Sequence, residues 1–187
     1  CAGQDFLSVL DGTPALQRRP MARVIEPLRA MGATILARED GKLPPLAIHG
    51  GKLRGIDYRL PVASAQVKSA ILLAAVFADS PTTLREPSPS RDHTERMMRA
   101  CGVELQSADC VLRIFPTRQF AIPNSGFVVP SDFSSAAFFI IAALLVPQSD
   151  ILIQGVGVNP TRTGLLDALA RMGARVRIEN AREESGE

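Results

Sequence analysis

The chain has 187 residues, 46% hydrophobic and 21% charged, which is apolar enough for one domain or two small ones and too apolar for a disordered tail. Its formal charge of +2 comes from interspersed signs, so the sequence shows neither a basic nucleic-acid stripe nor a polybasic membrane anchor. A small phosphorylated molecule remains a compatible ligand.

In chain order, Phe6-Leu7-Ser8-Val9-Leu10 reads as a short β-type run. Gln17-Arg18-Arg19-Pro20 then opens a helix, with Pro20 as its first residue, and Pro27 inside that helix implies a kink. Residues 64–77 and 134–145 read as two further helices, and Thr82-Thr83-Leu84-Arg85 and Ile151-Leu152-Ile153-Gln154 as β-type runs. The most apolar stretch, residues 136–146, is about half a bilayer span and has the pattern of a buried helix.

Three helical segments end alike, in Leu28-Arg29-Ala30-Met31-Gly32-Ala33, Met98-Arg99-Ala100-Cys101-Gly102-Val103 and Leu169-Ala170-Arg171-Met172-Gly173-Ala174, with their glycines 70 and 71 positions apart. A glycine just past a helix is the usual left-handed cap, so all three are expected at positive φ. An alternating strand-type segment follows each, as in Ala174-Arg175-Val176-Arg177-Ile178. The period, helix, strand, helix and further strand, is longer than most solenoid repeats and predicts an α/β (α+β) fold of repeated subdomains, with helices packed on small sheets. The first and third copies are cut short. With a first residue that is not methionine, this reads as a piece of a longer protein.

Cys1, Cys101 and Cys110 lack metal-ligand or redox spacing; Cys101 occupies the slot of Met31 and Met172 and reads as a small core residue in a reducing compartment.

Chemistry is expected at the helix starts, where unpaired amides and the dipole favour anions. An arginine stands at each entrance: Arg18-Arg19, Arg91 in Ser90-Arg91-Asp92-His93-Thr94-Glu95-Arg96, and Arg162 in Asn159-Pro160-Thr161-Arg162-Thr163-Gly164. The dipole disfavours a cation there, so an anion would compensate it. Equally, Ser90 and Thr161 are ordinary N-caps and the arginines solvated. In Val62-Ala63-Ser64-Ala65-Gln66-Val67-Lys68-Ser69, Ser64 either caps the helix or offers its hydroxyl to a phosphate beside the amides of Ala65 and Gln66, while Lys68 reads equally as a solvated residue.

The strings Leu60-Pro61-Val62-Ala63-Ser64-Ala65-Gln66-Val67-Lys68-Ser69-Ala70, Ser90-Arg91-Asp92-His93-Thr94-Glu95-Arg96-Met97 and Asn159-Pro160-Thr161-Arg162-Thr163-Gly164, in this order and spacing, closely resemble the 5-enolpyruvylshikimate-3-phosphate synthases. Arg19-Pro20-Met21, Pro27-Leu28-Arg29 and Ser131-Asp132-Phe133-Ser134-Ser135-Ala136 resemble them too, and the likeness runs end to end. It is more like class II, which includes glyphosate-tolerant members, than class I.

The resemblance implies repeated βαβαββ units, about two and a half of them here, in the enolpyruvyl transferase fold. It implies transfer of the enolpyruvyl group of phosphoenolpyruvate to the 5-hydroxyl of shikimate 3-phosphate, releasing phosphate, on the route to chorismate and aromatic amino acids. It further implies no metal or organic cofactor, no nucleic-acid or membrane partner, a cytoplasmic location and a monomer at full length. Residue by residue, Ser64, Ala65 through its backbone, Gln66, Ser90 and Arg91 match positions that bind shikimate 3-phosphate. Arg19 and Gln66 match positions at phosphoenolpyruvate, with Lys68 and His93 in support. The planar guanidinium fork suits carboxylate and phosphate. The family's domain crossover falls near Val129-Pro130-Ser131-Asp132, assigning residues 1–129 to the shikimate-3-phosphate-binding domain and 130–187 to the start of the other. The family's acid and base groups, and the loop that decides glyphosate sensitivity, match no residue of this chain, so the chain alone is expected to be inactive. Two alternatives stay open here: a relative of the enolpyruvyl transferase that acts on UDP-N-acetylglucosamine, whose mark would be a reactive cysteine in a glycine-rich loop, and a non-catalytic anion-binding module.

Overall fold

A computed structural model describes residues 1–117, 119–122 and 128–183. The chain divides into two compact units, one of Cys1–Ser90 with Gly102–Ala121, the other of Arg91–Cys101 with Ile122–Glu187.

The first unit opens with β1 (Leu7–Leu10), α1 (Ala22–Ala30), β2 (Thr34–Ala37), the single distorted turn α2 (Arg38–Gly41) and β3 (Leu43–His49). These strands form an antiparallel sheet in the order β1-β3-β2, with Leu7 and Thr34 both opposite His49. α1 begins two residues later than expected: Pro20 precedes the N-cap, Met21, whose amide donates to the Lys42 carbonyl at 2.7 Å and turns the chain before the helix starts. The helix runs on through Pro27, which is buried.

Next come β4 (Asp57–Arg59), α3 (Ala65–Ala75) and β5 (Thr82–Arg85). β4 and β5 are parallel, a pairing that needs a crossover, and α3 supplies it. After α4 (His93–Ala100), β6 (Leu105–Ala108) and β7 (Val111–Ile114) complete an antiparallel edge, giving the order β4-β5-β7-β6. The sequence from β4 to β7 is therefore one full βαβαββ unit. α3 buries Val67, Ile71, Leu72 and Ala75, while β5 alternates, burying Thr82 and Leu84.

The second unit holds α4, α5 (Phe133–Leu145) and α6 (Gly164–Arg171). α5 corrects an expectation: apolar from Ala136 to its end, it buries only Phe133 and Ala136, and Phe138 is 78% exposed. A helix apolar on all sides needs cover on all sides, whereas α6 offers one stripe that includes Leu165. At 13 residues α5 is also short, and among the described residues no helix is long and apolar enough to cross a membrane.

Gly32, Gly102 and Gly173 take φ of 106°, 80° and 85°, as the repeat requires. The caps close by amide donation from Ala33 to the Leu28 carbonyl and from Ala174 to the Leu169 carbonyl, each at 3.0 Å. The third copy departs from the pattern. Neither Ile151-Leu152-Ile153-Gln154 nor Ala174-Arg175-Val176-Arg177-Ile178 is a strand, because an alternating segment becomes one only with a partner ladder, and among the described residues none pairs with them. Cys101 is half-buried rather than core, like Cys110, and Cys1 is exposed.

Candidate anion-binding site

In the first unit, three of the sequence-predicted residues, Ser64, Ala65 and Gln66, form the start of α3. Ser64 is its N-cap in extended conformation (φ −146°, ψ 104°), and its Oγ accepts from the Val67 amide at a long 3.5 Å. A capping hydroxyl accepts, so its own proton remains available to an incoming oxygen. The amides of Ala65 and Gln66, the first two of the helix, lie outside the intrahelical ladder. Three donors thus sit where the dipole favours negative charge. Gln66 is exposed, and its Oε1 accepts from Arg23 Nη2 of α1 at 3.1 Å, which leaves the Gln66 amide hydrogens directed elsewhere.

Lys68 is not the solvated residue its position allowed. It is 1% exposed, its Nζ lies 3.0 Å from Glu86 Oε2, and it donates to the Ser90 carbonyl at 3.4 Å. The ammonium is engaged inside the protein rather than offered to a ligand. Ser90 is not an N-cap either, since α4 starts at His93 with Asp92 before it. The Ser90 hydroxyl instead donates to Glu86 Oε1. Arg19 is exposed, and among the described residues its side chain meets no hydrogen-bonding or ionic partner.

In the second unit, Arg91 is exposed and likewise free of a partner among the described residues. Asn159, 6% exposed, donates from Nδ2 to Asp92 Oδ1 at 2.8 Å, and that same nitrogen lies 3.4 Å from His93 Nδ1. Its Oδ1 accepts from the Thr161 amide at 2.9 Å. Partial burial would raise the Asp92 pKa, but the Asn159 amide and the Arg96 guanidinium, 2.8 Å from Oδ2, outweigh it and hold the carboxyl below its ordinary value. Thr161 also fails as an N-cap, that place belonging to Thr163. Arg162 is committed to Asp132 at 2.8 Å and to the Ser134 hydroxyl, so of the three entrance arginine sites this one is internally neutralised. Asp132 caps α5, and the Ser134 amide is the foremost cause of its lowered pKa. The hollow of about 580 Å³ between α5 and α6 has a mainly apolar lining that includes Phe138 and Ile141, with Arg162 already paired, so it does not suit an anion. Among the described residues, no group of three or more His, Cys, Asp or Glu is placed to hold a metal ion.

Sequence reasoning missed Arg23, Glu86 and Asn159. Only Asn159 carried a local signal, Asn-Pro being a turn opener.

The chain, with its one full βαβαββ unit, superposes on the enolpyruvyl transferase NikO from Streptomyces tendae with a TM-score of 0.70 over 95% of this chain and 43% of that one, at 17% identity, a likeness of fold alone. The family described as EPSP synthase (3-phosphoshikimate 1-carboxyvinyltransferase) matches residues 1–186, and the chain belongs to it. Relatives called 3-phosphoshikimate 1-carboxyvinyltransferase include those of Desulforudis audaxviator, 54% identical over 186 residues, and Thermus thermophilus, 52% over 187. Each match takes in 100% of this chain, which spans 43% of the length of these curated relatives. The EPSP synthase structure from Acinetobacter baumannii is 44% identical with a TM-score of 0.88, covering 99% of this chain and 41% of that one. Between the two transferase alternatives, family membership favours the shikimate branch over the UDP-N-acetylglucosamine branch.

Proposed function

We propose that the protein carrying this chain transfers the enolpyruvyl group of phosphoenolpyruvate to the 5-hydroxyl of shikimate 3-phosphate and releases phosphate. The chain supplies anion-binding positions for that reaction. Ser64 donates its hydroxyl proton to the phosphate of shikimate 3-phosphate, joined by the Ala65 and Gln66 amides. Ser90 and Arg91 serve the same substrate, Arg91 by a charge-assisted contact. Arg19 and the Gln66 side chain serve phosphoenolpyruvate, with Arg23 orienting Gln66 and His93 in support. Residues 1–129 are assigned to the shikimate-3-phosphate-binding domain and 130–187 to the start of the other.

The observation that carries this reading is the start of α3: three donors without internal demands, in the string by which the chain most resembles its family. The arginines orient anions but take up no proton, since a guanidinium offers donors and no acceptor. The deciding assay is inorganic phosphate release by the full-length protein. Release that requires both substrates supports the proposal, and none with both present refutes it. The 187-residue chain by itself, 43% of its relatives' length, is expected to release none.

A further inference from the structure

Resting on that reading, we infer that the buried Lys68–Glu86 pair is the positioning device of the Ser90 loop and the element that lets Ser90 meet an anion. Glu86 follows β5 directly, and its backbone is pinned by donation to the Cys110 carbonyl at 2.8 Å. Its carboxylate is 4% exposed and accepts two contacts from different elements: Lys68 Nζ of α3 on Oε2, at 3.0 Å, and the Ser90 hydroxyl on Oε1. Lys68 adds the contact to the Ser90 carbonyl at 3.4 Å, so Ser90 is gripped at both its hydroxyl and its backbone. One residue of α3 thereby ties the loop to the helix that begins at Ser64.

The charges explain the cation. A serine hydroxyl has one proton, and here Glu86 holds it, whereas a phosphate at Ser90 would demand the same proton and would face a carboxylate behind it. Two anions sharing a site repel strongly in a poorly solvated setting. Lys68 cancels the Glu86 charge, so the hydroxyl can turn from carboxylate to ligand without leaving a bare anion beneath it. Buried ion pairs often add no stability over an apolar pair of similar volume, so a buried ion pair at the loop root is better explained by positioning than by stability.

The test compares Lys68→Met, and Lys68→Met with Glu86→Gln, in the full-length protein. Hydrogen exchange of the Ser88, Ser90 and Arg91 amides is read without substrate, and Michaelis constants are read for each substrate. Lys68→Met is expected to speed exchange at these amides and to raise KM for shikimate 3-phosphate ~10-fold or more, with KM for phosphoenolpyruvate within ~3-fold. Adding Glu86→Gln removes the buried, uncompensated charge while keeping an acceptor for Ser90, and is expected to recover most of the KM effect. A merely structural role would not produce that rescue. If Lys68→Met does not fold, the double variant decides: KM near the parent value supports the inference, and KM as poor as with Ser90→Ala overturns it. Unchanged exchange in a folded Lys68→Met also overturns it. Faster exchange in a protein that binds no shikimate 3-phosphate would sink the functional reading while leaving the positioning of Ser90 intact.

Discussion

Replacing the cap glycines with alanine isolates a backbone effect whose size differs between sites. Gly102 has φ of 80°, and a Cβ added there meets nothing within 4 Å, so Gly102→Ala carries no clash. What remains is the left-handed penalty of ~1–2 kcal/mol, offset by the ~0.4–1 kcal/mol that alanine gains by restricting the unfolded chain, for a net loss of about 1 kcal/mol. Gly32 is more demanding. Its φ of 106° lies well outside the left-handed helical well that alanine tolerates, and its added Cβ would touch the Lys52 carbonyl at an ordinary 3.5 Å. Conformation rather than collision sets the difference, so Gly32→Ala should cost about 2 kcal/mol. Asparagine tolerates left-handed backbone better than alanine, so Gly102→Asn should lose only about half as much as Gly102→Ala. Urea unfolding read by circular dichroism measures this, with about 1 kcal/mol moving the midpoint by ~0.3–1 M. Equal midpoints for Gly32→Ala and the parent, or Gly102→Asn no better than Gly102→Ala, would refute the reasoning.

Further expectations follow from the two units. Ser64→Ala should cost at most ~0.5 kcal/mol of stability, since its capping contact is long at 3.5 Å, yet weaken shikimate 3-phosphate ~5- to 10-fold by calorimetry. Arg19→Ala should raise KM for phosphoenolpyruvate ~10-fold or more and that for shikimate 3-phosphate far less, in steady-state phosphate release. Asn159→Ala removes buried contacts to Asp92 and Thr161 and should destabilise by ~1–3 kcal/mol near neutral pH. Because the Asp92 pKa is lowered on folding, its contribution is present above the unfolded value and is lost as pH falls through the folded one. The gap in thermal midpoint between Asn159→Ala and the parent should therefore narrow below about pH 4, where a constant gap would show that Asp92 ionisation plays no part.

What was legible in the sequence was whatever a local pattern encodes. The three cap glycines, the helix start at Ser64 and the strands at Leu7–Leu10 and Thr82–Arg85 all depend on neighbours within a few residues. The errors arose where a distant group decides. Pro20 looked like a helix opener, but the Lys42 carbonyl takes the Met21 amide and delays α1. Lys68 looked solvated because its partner, Glu86, stands 18 positions on and across β5, beyond any helical period. Ser90 looked like a cap for the same reason, its hydroxyl going back to Glu86. Ile151-Leu152-Ile153-Gln154 has strand composition without a ladder, since composition specifies a willing edge and not its partner. Family resemblance filled a different gap: it named substrates for helix starts whose chemistry alone left an anion site and an ordinary cap both open.

The central claim, that these helix starts bind shikimate 3-phosphate, is tested most directly by calorimetric titration of that substrate into the full-length protein and its Arg91→Ala variant. Arg91 is exposed and has no partner among the described residues, so its loss should leave the fold intact while removing one charge-assisted contact. That contact is worth about 1.5–3 kcal/mol, so the dissociation constant should rise roughly 10- to 150-fold at an unchanged thermal midpoint. An unchanged dissociation constant in the folded variant would contradict the assignment.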